Sequence, residues 1–277
     1  LNINSNTLLY GSFSTGFNAP SLYQLYDPTI GGTFITRGNR DLEPEESRSI
    51  ELGVKRGLAR TGYVTLSLFS TQTNNAIEYV YLWNKNTQIA NLSFLDYEGD
   101  TYINLSQQTI NGIEVAGYYE FGKFGLTGNL TWLNGTITSN PNDLPSDQID
   151  GNHVQLFSNG AFINSENAQE HFARRPQLTA FSKLQFNFNE NVSFNLNYRL
   201  AGSRFDSFYD PTLGPFGAQG SLEIDSYHLF DLGARVRISK ILSATVSVEN
   251  VFNTNYQEIN GFLTRGRSAY LKLIAKW

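Results

Sequence analysis

The side chains that most often do chemistry are scarce in this chain. His153, His171 and His228 are its only histidines, cysteine is absent, and no histidine has a partner at metal-ligand spacing. Thiolate metal sites, disulfides and cysteine nucleophiles are excluded together. Asp143, Asp147 and Asp150 lie near Asn140 and Asn142, but the spacing lacks the order of an EF-hand loop and its closing bidentate Glu. A solvated acidic loop is expected there, and His171 and His228 are expected to be plain surface residues. No nucleophile–base arrangement stands out, so neither catalysis nor a cofactor is expected. What remains is recognition chemistry. Tyr23, Tyr26 and Phe34, then Tyr79, Tyr81 and Trp83, then Phe205, Phe208 and Tyr209 gather in three Asn- and Gly-rich stretches. Such rings stack on a large ligand and hydrogen-bond to it. Arg37, Arg174, Arg175 and Arg204 supply positive charge for an anionic one.

Strands are expected to hold these stretches. Nearly every ordered-looking segment alternates between apolar and polar at a period of two. Ile50, Leu52 and Val54 oppose Ser49, Glu51 and Lys55; Phe194, Leu196 and Tyr198 oppose Ser193, Asn195, Asn197 and Arg199. Leu232, Ala234 and Val236 oppose Asp231, Arg235 and Arg237, and Ala244 and Val246 oppose Ser243, Thr245 and Ser247. The last stretch, Arg267 to Trp277, puts Ala269, Leu271, Leu273, Ala275 and Trp277 on one side. It is expected to pair with Leu242–Val248. No comparable helical period occurs, and no apolar run approaches the ~20 residues of a spanning helix.

Connection length follows a rule of its own. Short turns are expected at Gly57–Thr61, Phe121–Phe124, Asn189–Asn191 and Ser239–Lys240. Long loops are expected over roughly 17–44, 75–102, 139–172, 204–223 and 253–265. Short and long alternate strictly, which gives about ten strands and a chain that starts and ends on the short-turn side. Compact soluble sheets have mostly short loops, whereas outer-membrane barrels segregate short periplasmic turns from long outer loops. Phe121, Phe124, Phe188 and Phe194 flank short turns, and Trp132 lies eight steps from Phe124. At ~3.3 Å per residue and ~40° tilt, that is about 20 Å of height, close to the ~25 Å between the aromatic girdles of such barrels. The mean hydropathy of -0.31 suits strands with unlike faces. The formal charge of -5 and pI near 5.3 argue against a nucleic-acid binder. The fold class expected is all-β, a transmembrane antiparallel β-barrel. Methionine is absent, so Leu1 is expected to be a processed or cut end rather than a translation start.

Specific motifs then carry a resemblance. Tyr10-Gly-Ser-Phe-Ser-Thr-Gly-Phe-Asn-Ala-Pro20 resembles the Gly-Phe-x-Ala-Pro segment of TonB-dependent outer-membrane receptors. Asn39-Arg-Asp-Leu-Glu-Pro-Glu-Glu-Ser47 is similar to that family's Asn-x-x-Leu-x-Pro-Glu signature. Asn111-Gly-Ile-Glu114, Arg175-Pro176, Val248-Glu-Asn-Val-Phe-Asn253 and Gly266-Arg-Ser268 match further family segments in order. The resemblance implies about ten C-terminal strands of a roughly 22-stranded barrel in the bacterial outer membrane. The plug domain, its TonB box and the first barrel strands would lie outside residues 1–277, so that either a second polypeptide supplies the missing strands, as expected for a well-ordered structure, or the chain is an isolated piece.

By the same resemblance the function is energy-coupled uptake of a large scarce nutrient. A ferric siderophore comes first and cobalamin second. Haem is disfavoured because Ser21 to Gly38 contains no His. Ligand contacts are expected at Tyr23, Tyr26, Arg37, Tyr79, Tyr81, Trp83, Arg174, Arg204, Phe205 and Tyr209. Trp277 resembles the terminal aromatic signal read by the assembly machinery. Glu51, Glu114, Arg235 and Arg237 are expected on the lumen wall, solvated or mutually paired. Expected partners are outer-membrane lipid, the plug and remaining strands, the TonB complex through the plug, and a metal chelate or similar small molecule. A passive porin or adhesin barrel is one alternative, and a soluble carbohydrate-binding β protein another.

Overall fold

A period of two sorts side chains onto two faces only if the backbone is extended, and an extended backbone must find its hydrogen bonds on neighbouring strands. A computed structural model describes residues 1–26, 28–31, 34–58, 61–83, 95, 97–139, 153–158, 161–163, 168–169, 172, 174–210 and 218–276. Its elements are β1 (Asn2–Asn4), β2 (Thr7–Asn18), α1 (Leu22–Tyr26), β3 (Pro28–Gly31), β4 (Phe34–Arg37), β5 (Glu45–Leu58), β6 (Gly62–Trp83), β7 (Tyr97–Phe121) and β8 (Phe124–Ser139). There follow β9 (His153–Ser158), β10 (Ala161–Ile163), β11 (Ala168–Gln169), β12 (Leu178–Asn187), β13 (Val192–Ala201), β14 (Arg204–Asp210), β15 (Ala218–Ile224), β16 (Tyr227–Arg237), β17 (Leu242–Glu249) and β18 (Ser268–Ala275).

The main sheet runs β1-β2-β5-β6-β7-β8-β12-β13-β16-β17-β18, which is ten strands after the three-residue β1. Each neighbour pair along this path is antiparallel, and β18 pairs with β17 from Leu242↔Ala275 to Glu249↔Ser268. The sheet does not close on itself among the described residues. Short turns gather at one end. Gly122, at φ 59, lets β7 return to β8 within two residues. Asn189 Oδ1 accepts the Asn191 and Val192 amides, and Ser239 Oγ accepts those of Ile241 and Leu242. One side-chain oxygen thus replaces the missing ladder partners in each turn.

Register fixes the faces. Leu52 stands beside Leu68, which stands beside Ile113, then Trp132 and Leu178. Farther along, Leu184, Leu196, Leu232 and Val248 share that face. These residues are not covered: Leu52 is 61% exposed and Leu271 68%. A soluble sheet cannot leave so continuous an apolar face in water, whereas acyl chains cover it in a bilayer. On β5 the apolar run Ile50, Leu52 and Val54 is bounded on its own face by Arg48 and Arg56. Mid-membrane, such a charge costs about 2–4 kcal/mol, so the band stops where the arginines stand. The opposite face carries Glu51, Glu114, Arg235 and Arg237, with Arg199 and Asp231 bridged at 3.5 Å. There Tyr10 lies across Gly53 to reach Ser67 Oγ at 2.6 Å, and Phe69 covers Gly112. A side chain at either glycine would displace the ring.

The long-connection end departs from expectation in three ways. β6 and β7 run on through most of the expected 75–102 loop, so Tyr79, Tyr81 and Trp83 sit on a strand. The 204–223 connection is a two-stranded sheet, β14–β15. A five-residue helix, α1, occupies the 17–44 connection. Buried apolar side chains also concentrate at this end, where Ala76, Val80 and Ile103 are at most 1% exposed. β4 pairs in parallel with β7, and β9 pairs with β6, so connections from both flanks brace the β6–β7 extension. No helix among the described residues is long and apolar enough to cross a membrane. Trp277, His171 and the Asp143, Asp147 and Asp150 loop lie outside the described residues.

Candidate functional site

Two clusters of the expected ligand-binding residues form at the long-connection end. The first is built around tyrosine rings. Ser21 and Gln24 cap α1 reciprocally: Gln24 Oε1 accepts the Ser21 amide at 2.8 Å, and Ser21 Oγ accepts the Gln24 amide at 3.2 Å. Gly38 lies so close to Leu25 and Tyr26 backbone that a Cβ would meet it at 2.6–2.7 Å. The next residue, Asn39, is buried and donates to the Tyr102 carbonyl at 2.8 Å. Asn104 then holds the Glu43 amide and carbonyl and the Asn75 carbonyl. Glu45 accepts from the Ile77 amide and from Asn18. The Asn39–Glu45 signature is therefore a chain of staples that ties the β2–β5 connection to the β6–β7 extension.

This framework holds three rings together. Tyr23 meets Tyr102 edge-on at 6.1 Å, and Tyr79 meets Tyr102 at 5.2 Å. Tyr23 and Tyr79 remain 50% and 40% exposed. Beside them Arg40 lies over the Tyr26 ring at 5.3 Å, and the Arg37 carbonyl accepts from Thr101 Oγ1 at 2.8 Å. Tyr102 and Arg40 were not singled out from the sequence. Tyr102 becomes legible once the hairpin pairing is carried past the irregularity at Thr73/Ala76, which sets it opposite Tyr79. The backbones of Tyr81 and Trp83 lie on β6, while their side chains and that of Tyr209 on β14 fall outside the described residues.

The second cluster gathers arginines that tie connections together. Arg174 adopts φ 62, a strained conformation for a residue other than glycine. Its Nε donates to Asp206 Oδ1 at 2.6 Å, and Asp206 is fully buried. The Asn260 amide holds the other carboxylate oxygen at 2.7 Å. Phe205 accepts the Arg174 amide through its carbonyl. Arg204 is 6% exposed and donates to the Gln257 and Glu258 carbonyls, with its guanidinium over Tyr227 at 5.6 Å. The Val248–Asn253 motif shapes the same loop: Asn250, at φ 50, closes a ring through both its amide atoms onto Thr254. His228 Nδ1 pairs with the Tyr198 hydroxyl at 2.7 Å on the outward face. No group of three His, Cys, Asp or Glu is placed to hold a metal among the described residues.

An antiparallel sheet with an apolar outward band, short turns at one end and braced long connections at the other is the wall of an outer-membrane β-barrel. Residues 1–251 match the family model described as TonB dependent receptor-like, beta-barrel. The chain belongs to that family, whose members are receptors and transporters rather than enzymes. It is 23% identical over 265 residues to the vitamin B12 transporter BtuB of Vibrio cholerae, spanning 95% of this chain and 33% of that one. It is 28% identical over 252 residues to the hemoglobin-haptoglobin-binding protein A of Haemophilus influenzae, spanning 90% and 22%. The ferric enterobactin receptor PfeA of Pseudomonas aeruginosa shares the fold with a TM-score of 0.67 at 18% identity, over 99% of this chain and 38% of that one. The chain thus spans about a third or less of the curated relatives it matches.

Proposed function

We propose that this chain forms the C-terminal ten strands of a roughly 22-stranded receptor barrel that takes up a large, scarce nutrient, a ferric siderophore before any other. The plug and the remaining strands would come from the rest of the receptor or from a second chain, and the plug would link uptake to the TonB complex. The observation that carries the reading is the Tyr23–Tyr102–Tyr79 cluster, held rigid from below and left half open above. Fixed aromatic rings bind a large, partly aromatic ligand with little loss of side-chain entropy. Arg37 and Tyr26 flank the rings, and Tyr81 and Trp83 continue the same strand. Cobalamin is the second reading, supported by the likeness to the B12 transporter over 95% of the chain.

The test uses the full-length receptor in detergent with a panel of ferric siderophores and with cyanocobalamin. Saturable binding of a ferric siderophore, with no binding of cyanocobalamin, is expected. Cobalamin binding alone would transfer the assignment to the second reading. Binding of neither, together with unselective passage of small solutes in liposomes, would leave a passive barrel and defeat both.

A further inference from the structure

Beneath the β14–β15 hairpin a cavity of about 280 Å³ opens on the polar face of the wall. Ile110 and Leu133 form its floor, and Phe172 and Phe205 its walls. Gly135 is required there, because a Cβ would meet the Phe172 ring at 2.1 Å. Arg175 lies over that ring at 5.3 Å. Arg204, Arg175 and Glu223 all border the space. Arg204 has spent Nε and Nη2 on the loop carbonyls of Glu258 and Gln257. Its Nη1 is buried without a hydrogen-bond partner. An unpaired guanidinium nitrogen in such a place is costly unless an acceptor arrives.

We infer that this cavity is a subsite for a small, flat organic monoanion: a carboxylate on an aromatic or unsaturated body. Two guanidinium groups against one carboxylate leave a single positive charge, which one negative charge neutralises. A carboxylate presents two acceptors in one plane, the arrangement an arginine fork matches best. Ile110, Leu133 and the two phenylalanines accept the apolar body. The volume lies just below the ~300–1,000 Å³ of pockets for drug-sized ligands, so it holds a small molecule or one arm of a larger one. As an arm-binding site it rests on the uptake reading above, with the tyrosine cluster taking the bulk of the ligand; as a small-anion site it stands alone.

Benzoate is the probe, titrated into the full-length receptor by saturation-transfer NMR without iron. Saturable binding is expected, with benzamide at least fivefold weaker because it lacks the charge. Arg175→Gln should weaken benzoate at least fivefold, and Glu223→Gln should tighten it about threefold. Neither residue takes part in the Arg174–Asp206 or Arg204–loop bonds, so both variants keep the hairpin seated. Benzoate binding that ignores both substitutions, or no saturable binding, overturns the subsite. Ferric siderophore binding, measured separately, keeps the two proposals apart. A receptor that binds benzoate but no siderophore retains the subsite and loses the uptake reading. One that binds siderophore but not benzoate does the reverse.

Discussion

The two clusters at the long-connection end use the same residue types to different ends. Around Tyr102 the polar groups that do the fixing are amides and carboxylates, Asn39, Asn104 and Glu45, and the rings are left half exposed. Around Asp206 the fixing is done by the arginines themselves. Arg174 and Arg204 put their donors into the buried Asp206 and into the loop carbonyls of Gln257 and Glu258. An arginine between two connections is worth more as a strut than as a free charge, because its fork satisfies several carbonyl or carboxylate acceptors at once. A tyrosine in a similar setting gives up little by staying half exposed, since its hydroxyl is content in water. Half-exposed aromatics and structural arginines therefore lie at the same end of the wall, and residue type alone does not separate them.

The largest effect should come from breaking the buried strut. Asp206→Ala removes the acceptor of both the Arg174 guanidinium and the Asn260 amide. Losing one member of a buried pair costs 3–5 kcal/mol, and with Arg174 half exposed the lower figure, about 3 kcal/mol, is expected. Hydrogen exchange should show lost protection in β14–β15 and near Asn260, with the β5–β8 wall unchanged. Unchanged protection around β14–β15 would mean that the arginines are not what seats the hairpin. Smaller, and confined to binding, is Tyr102→Ala. It should weaken the ligand about thirtyfold, the ~2 kcal/mol scale of an aromatic hot spot, and leave exchange in β14–β15 untouched. Equal affinity in the variant would move the ligand off the tyrosine cluster and remove the contrast.

How much of this was legible in the sequence differs along the height of the wall. Between Arg48 and Arg56 the period of two is unbroken, and at that height the ten strands, the short turns and the β17–β18 pairing are legible from alternation and turn residues alone. Above it the ladder slips at Thr73/Ala76 and again at Ala76/Ile77, with Asn75 at φ 57. A bulge shifts the alternation, so Val80 and Ile103 look like the end of a pattern when they are the core of its continuation. α1 is too short to show a helical period. The Asp206 partners are distant in the chain, Arg174 by 32 residues and Asn260 by 54. No local spacing announces such a pair. Asn39 and Glu45 were visible as family signature residues, but their role as staples depends on Tyr102 and Ile77, reached only through the fold.

The finest test of the contrast is electrostatic and concerns the support of the tyrosine cluster. Glu78 sits on β6 beyond the bulge, outside the apolar band, with the Ser106 and Gln108 side chains as donors. Burial pushes its carboxyl above the ordinary range; the Ser106 hydroxyl, 3.0 Å away, pulls it partly back, and the nearby Glu45 carboxylate raises it further. With a raised folded pKa, the folded extension binds more protons than the unfolded chain across the interval above the ordinary carboxylate value of ~4.3. Its stability therefore falls as pH rises through that interval and is greatest below it. Amides of Ile77–Val80 and Thr101–Ser106 should exchange faster as pH rises there, after correction for intrinsic exchange, and ligand affinity should decline in parallel because Tyr79 and Tyr102 ride on the same strands. Glu78→Gln keeps an acceptor for Ser106 and cannot ionise, so both trends should flatten. A profile identical in wild type and Glu78→Gln would show that the rings are held by the Asn39, Asn104 and Glu45 staples alone.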